Sequence, residues 1–231
     1  MQGKLLYGVG GLIIGLVAGF FAANSLNRGS AVSPSATTAN VAQAPPGSIP
    51  GNNAQPGGMQ ADVAQTLQKA ESEPANFVAQ MQAGDMYGQI GRFDKAIEFY
   101  SKGVGLNPQN AAANIVLANA YFDSQKFEDA EKYYSKALEI EPNNVNARTD
   151  LGATLVERQS PDYGRAIEEF RKALEQDPKS APTLYYLGIA QQRKGDRAEA
   201  EKTLAELEKN HPQSELVSRL RQNLNAKPPT Q

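Results

Sequence analysis

Five prolines set the ruler for most of this chain. Pro74, Pro108, Pro142, Pro178 and Pro212 are separated by 34, 34, 36 and 34 residues. Proline ends a helix because it lacks the backbone N–H and crowds the preceding turn. One such corner is only a turn, but the same corner at a near-constant interval is an architecture. Other positions keep the same step. Ala96, Ala130, Ala166 and Ala200 each precede one of the last four prolines by twelve residues. The large side chains Tyr100, Tyr134, Phe170 and Leu204 follow those alanines by four, and Gly103, Ala137, Ala173 and Leu207 come three later. Upstream, Gly84, Ala118, Gly152 and Gly188 form a row of small residues, with Tyr87, Tyr121, Leu155 and Gln191 three residues beyond. Spacings of three and four place side chains on one helix face, so the zone from about Met59 onward predicts helices.

These residues resemble the tetratricopeptide repeat, a helix-turn-helix unit of ~34 residues with the pattern L-G-x-x-Y, A-x-x-x-F and a closing proline. The resemblance covers four repeats, 77–110, 111–144, 145–180 and 181–214. It implies an all-α, right-handed α-solenoid in which no repeat buries its apolar face alone and neighbours complete the core. Small residues at Gly84 and Ala96 let the two helices of a repeat cross closely. A small residue at Gly103 or Ala137 admits the first helix of the next repeat. Asn110, Asn144 and Ser180 stand where they can cap the following helix. The chain departs from the pattern at Gln80, Asn114 and Arg148, where Trp or Leu is common. Repeat three carries two extra residues near "RQSPDYG" (Arg158 to Gly164), which lengthen its inter-helix turn. Repeat four has Gln191 and Leu207, as suits a terminal repeat. An unpaired helix over 59–73, with Val63, Leu67 and Ala70 on one face, packs before repeat one. A helix over 215–225, with Leu216, Val217, Leu220 and Leu224 on one face, closes the far end, and 226–231 reads as a disordered tail.

The amino-terminal quarter is a different object. Residues 1–58 carry two charged side chains, Lys4 and Arg28, leaving 21 of the 23 basic and all 25 acidic residues to the rest. "LLYGVGGLIIGLVAGFFAANSL", Leu5 to Leu26, holds no charge. At ~1.5 Å per residue a helix of this length crosses a ~30 Å hydrocarbon core, so 1–28 reads as a single-pass transmembrane anchor. A secretory signal is the alternative, but its apolar core is usually about 7–15 residues. "FFAANS" also makes a poor cleavage site, since cutting after Ala23 puts Phe21 three residues before the cut. Lys4 before the span, and the lack of any Lys or Arg between Arg28 and Lys69, favour an amino terminus inside. The repeats then lie outside the cytoplasm, in the periplasm if the cell is bacterial. Gly11, Gly15, Gly19 and Ala23 recur every four residues, a small-residue face on which membrane helices associate. Residues 29–58 are uncharged Ala, Pro, Gly, Ser, Thr, Asn and Gln with few apolar residues, the composition of a disordered linker.

No catalytic constellation emerges. There is no cysteine, so disulfides, thiolate metal sites and a cysteine nucleophile are excluded. The single histidine, His211, falls beside Pro212 in an inter-repeat turn. The acidic neighbours Glu128–Asp129 and Glu168–Glu169 read as solvated second-helix faces. No phosphate-binding loop or metal-ligand spacing occurs, and no enzyme activity or cofactor is expected. A net charge of −2 gives no field for nucleic acid.

What remains is a surface. The family resemblance implies that the first helix of each repeat lines a concave groove. Carried over by register, its residues are Met81 and Asp85, then Ile115, Asn119 and Phe122, then Thr149, Ala153 and Val156, and finally Tyr185, Ile189 and Gln192. Some relatives clamp a carboxyl terminus with Lys, Asn and Arg. Here only Asn119 fits that scheme, so the expected ligand is an extended or helical protein segment with apolar anchors. The expected role is a membrane-tethered interaction scaffold in envelope assembly or maturation. The alternatives are a structural protein self-associating through the Gly11–Ala23 face and a soluble exported protein released by signal cleavage.

Overall fold

The computed structural model describes residues 56–226, with side-chain surroundings from residue 63. The chain divides into two units, 1–58 and 59–231. The proposed anchor, its Gly11, Gly15, Gly19 and Ala23 face, and nearly all of the linker lie outside the described residues. Among the described residues, no helix is long and apolar enough to cross a membrane.

The described residues form ten helices: α1 (Pro56–Ser72), α2 (Phe77–Gln89), α3 (Phe93–Leu106), α4 (Ala111–Asp123), α5 (Phe127–Ile140), α6 (Val145–Glu157), α7 (Tyr163–Gln176), α8 (Ala181–Lys194), α9 (Arg197–Asn210) and α10 (Glu215–Asn225). They pack as the pairs α2–α3, α4–α5, α6–α7 and α8–α9, and each pair stacks on the next.

Two kinds of turn alternate, each with a local cause. Between repeats, the residue before each proline accepts a backbone hydrogen bond from the residue three further on, as in Asn110 N–H to Asn107 O at 3.2 Å and Asn144 N–H to Glu141 O at 3.1 Å. Proline suits the second position of such a turn because its φ is already set. The next helix is then capped: Asn76, Asn110 and Asn144 accept from the N–H of Ala79, Ala113 and Ala147 at 3.1, 2.9 and 3.0 Å. Ser180 departs from the expected cap. Its hydroxyl accepts no backbone N–H and instead receives the Thr183 hydroxyl at 2.7 Å.

Within repeats, the first helix ends in a residue of positive φ: Gly91 (73°), Gln125 (60°) and Gly195 (97°). Glycine adopts this conformation without a Cβ clash, whereas Gln125 holds it at a steric cost. Repeat three uses the longer turn 158–162 and closes it with Asp162, whose carboxylate accepts from Arg165 N–H at 3.0 Å.

Close helix crossing explains the small-residue row. A Cβ placed on Gly84 would overlap the Tyr100 ring, and one on Gly152 would overlap the Phe170 ring. Repeat four differs, because Gly188 receives Leu220 of α10 rather than its own second helix. Gly103 also corrects the expectation. Its nearest neighbour is the Met81 sulfur of its own repeat, not the next repeat's helix.

The polar departures from the family pattern act as ties. Asn114 donates to Pro108 O at 3.0 Å and Arg148 to Pro142 O at 2.6 Å, each reaching back to an inter-repeat proline. The Gln80 amide donates to Ala70 O at 2.6 Å and fastens α1 to repeat one, with Leu67 and Ala70 packed beside it and Val63 exposed. At the other end, α10 buries Val217, Leu220 and Leu224. Its last carbonyls, at Asn223 and Leu224, accept from Gln192 and Arg197.

Candidate partner-binding face

From repeat three onward, first helices approach one another more closely than second helices do. α6 packs directly on α8 and α8 on α10, whereas α7 and α9 touch at most marginally. That part of the stack therefore closes toward its first helices, and the first helices of all four repeats share one face of the stack.

This closure is uneven, because α2 with α4 and α4 with α6 touch at most marginally. In the first two repeats Met81, Ile115 and Phe122 are half-buried, Asp85 is exposed, and Phe122 meets Phe127 edge-on at 5.3 Å. Tyr185 and Gln192 are also half-buried. Five residues expected in the groove are instead buried: Asn119, Thr149, Ala153, Val156 and Ile189, the last four between 0% and 3% exposed. Thr149 shows why, since its hydroxyl meets Thr183 of α8 at 2.7 Å and draws the two first helices together.

In the row 85, 119, 153, 189, the first two positions reach the second helix of their own repeat. The Tyr100 hydroxyl donates to Asp85 at 2.6 Å and the Tyr134 hydroxyl to Asn119 at 2.5 Å. Repeat three has Ala153 and Phe170 at the corresponding positions, and no polar pair forms. The Gln191 amide does equivalent work in repeat four, its oxygen accepting from Thr203 at 2.7 Å.

The inner face also carries residues that the register argument passed over. Asp123, Glu157 and Arg193 lie one position beyond the row 122, 156, 192, and Asp150 and Tyr186 one beyond 149 and 185. They recur at the repeat spacing, which is the signal that could have found them. Arg193 donates to Glu157 at 3.0 Å, and Tyr186 meets Tyr185 edge-on at 5.2 Å and stacks near Phe170 at 6.3 Å. Burial pushes the Tyr185 hydroxyl above its ordinary value against the pull of Arg219 and Arg193, and pushes Tyr186 well above it. Burial, with Asp123 adding negative charge, pushes the Asp150 carboxyl up to about 7. His211 lies in the turn before α10, its ring against the Lys179 carbonyl. Among the described residues no three His, Asp or Glu side chains gather as a metal site.

The tetratricopeptide repeat profile matches residues 89–144 and 157–224, more than half of the chain. The chain belongs to the tetratricopeptide repeat family. Solved structures with the same fold include a MamA protein, 23% identical, covering 68% of this chain and 84% of that one with a TM-score of 0.62. MamA from Desulfovibrio magneticus RS-1 is 17% identical over 72% of this chain and 88% of its own, with a TM-score of 0.59. A thermophilic tetratricopeptide protein of Thermus thermophilus is 19% identical over 65% and 84%, with a TM-score of 0.55. At these identities the likeness concerns the fold. No curated protein matches the chain.

Proposed function

We propose that this tetratricopeptide protein is a membrane-tethered scaffold that holds a segment of a partner protein on its inner face. The observation that carries the reading is the set of half-buried apolar side chains Ile115, Phe122 and Tyr185 on the first helices, with Met81 turned instead toward Gly103 of its own repeat. Apolar side chains gathered on one face favour a protein partner. The uncharged stretch Leu5–Leu26 supplies the anchor, with the amino terminus cytoplasmic and the repeats in the periplasm or another extracytoplasmic space. The linker to Gly58 confines a captured partner near the membrane, raising its effective concentration for envelope assembly. The protein acts by binding and not by catalysis.

In-cell photocrosslinking from positions 115 and 185, with a control on the exposed Glu139 of α5, tests this reading. A heterologous protein captured from the inner face alone supports it, and equal capture from position 139 removes it. The four-residue spacing of Gly11, Gly15, Gly19 and Ala23 favours a second reading, self-association in the membrane. Gly15→Ile then dissociates detergent-solubilised oligomers, and unchanged oligomer size rejects the idea. The mass of the mature chain separates an anchor from a cleaved signal.

A further inference from the structure

The half-buried acids of this solenoid are a guide to its ligand. Glu157 pairs with Arg193 at 3.0 Å, Glu169 with Arg148 at 2.5 Å, and Glu208 with Arg221 at 2.6 Å. Glu131 holds both Arg158 and Arg165, at 3.0 and 2.9 Å. Asp150 breaks the pattern. It too is half-buried, yet its carboxylate makes no hydrogen bond and no ion pair among the described residues. A half-buried carboxylate without a partner is less well hydrated than a free one, which is unfavourable, and Asp123 on α4 adds a like charge. The arginines on this part of the face are engaged, Arg193 by Glu157 and Arg219 by Glu215 at 2.7 Å. Beside Asp150 stand the rings of Tyr186 and, edge-on to it, Tyr185.

We propose that the captured protein segment carries a lysine or arginine that seats against Asp150, with a neighbouring apolar side chain on the surface of Ile115, Phe122 and Tyr185. This deepens the scaffold reading and rests on it. Charge complementarity selects the occupant. A basic side chain compensates the unpaired acid. An acidic segment meets like charge there.

Two labelled peptides test the assignment against the full chain, one combining leucine with lysine and its counterpart combining leucine with glutamate. The lysine peptide binds in preference to the glutamate peptide. Asp150→Asn weakens it about tenfold, because a charge-assisted contact is lost. Glu168→Gln on the exposed face of α7 leaves its affinity unchanged. Binding also tightens in the wild type as pH rises through the range in which Asp150 loses its proton, about pH 7, and stays flat in Asp150→Asn. Asp123, Glu157, Tyr185, Tyr186, Arg193 and Arg219 remain present in both proteins, so the difference belongs to position 150.

Equal binding of the two peptides, no binding of the lysine peptide, or equal affinity of wild type and Asp150→Asn overturns the assignment. Crosslinking from position 185 separates the two ideas. Unchanged partner capture in an Asp150→Asn background overturns the basic-anchor inference and leaves the scaffold reading standing. Absence of capture from either 115 or 185 in the wild type overturns the scaffold reading itself.

Discussion

The two halves of the solenoid use one repeat plan to different ends. In repeats one and two, Met81 and Ile115 hold a position that Thr149 holds in repeat three, and the first helices remain apart. In repeats three and four, Thr149 bonds to Thr183, α6 meets α8, and α10 closes on both helices of repeat four. The open half presents apolar surface and lets Asp85 reach solvent, while the closed half buries Ala153, Val156 and Ile189. A side chain at a given register is therefore binding surface or core according to how closely the neighbouring first helix approaches.

The largest test of this contrast uses the two small-residue contacts. Gly152→Ala forces a methyl into the Phe170 ring, which is 0% exposed in the closed half, and destabilises by about 2–3 kcal/mol. Gly84→Ala meets Tyr100, which is 6% exposed with its hydroxyl end reaching the exposed Asp85, and costs about 1–2 kcal/mol. Denaturant midpoints of the two variants measure the difference, and equal costs break the comparison.

A second test concerns pH. Asp150 keeps its proton up to about 7 in the folded protein, whereas an unfolded aspartate releases it near ~4. The folded state therefore binds more protons between those values, and this group's contribution to stability falls as pH rises from about 4 to about 7. Asp150→Asn abolishes that fall and stabilises the unliganded protein at about pH 8 by on the order of 1–3 kcal/mol. Urea unfolding at the two ends of that range measures it. A variant equal to wild type at high pH shows that Asp150 is well solvated.

The tyrosine hydroxyls give a smaller effect. Tyr134→Phe leaves the buried Asn119 oxygen without its 2.5 Å partner and costs about 1–2 kcal/mol. Tyr100→Phe leaves Asp85, which is exposed and regains water, so its cost stays near ~0.5 kcal/mol. Thermal melts of the pair sharpen the distinction between a buried and a wetted partner, and a reversed order refutes it. The smallest effect is a gain. Gln125→Gly relieves the positive φ that Gly91 and Gly195 adopt freely and stabilises by about 0.5–1 kcal/mol, the strain relieved less the entropy glycine adds to the unfolded chain.

The repeat was legible because its signals are local. A proline after each second helix, an asparagine cap, and a small residue four before a large one each act within one or two turns of the chain. The all-helical stack follows from their recurrence. The face was only half legible. Ile115, Phe122 and Tyr185 could be placed by register, but the burial of Thr149 and Ile189 depends on residues about 34 positions away, such as Thr183 meeting Thr149. Asp150 was missed for a related reason. Its type and position are plain in the sequence, but its significance lies in having no partner, and that depends on every neighbouring helix.

The sequence by itself determined the repeat length, the turns, the helical class and the division between a nearly uncharged amino-terminal quarter and a charged, periodic remainder. These are set by hydrogen bonds and side-chain spacing within a few residues. Only the tertiary structure decided how far apart successive first helices stand, and with that which residues form surface, which form core, and which acid is left without a cation. Those outcomes come from packing summed across neighbouring repeats, and no single segment of the chain contains them.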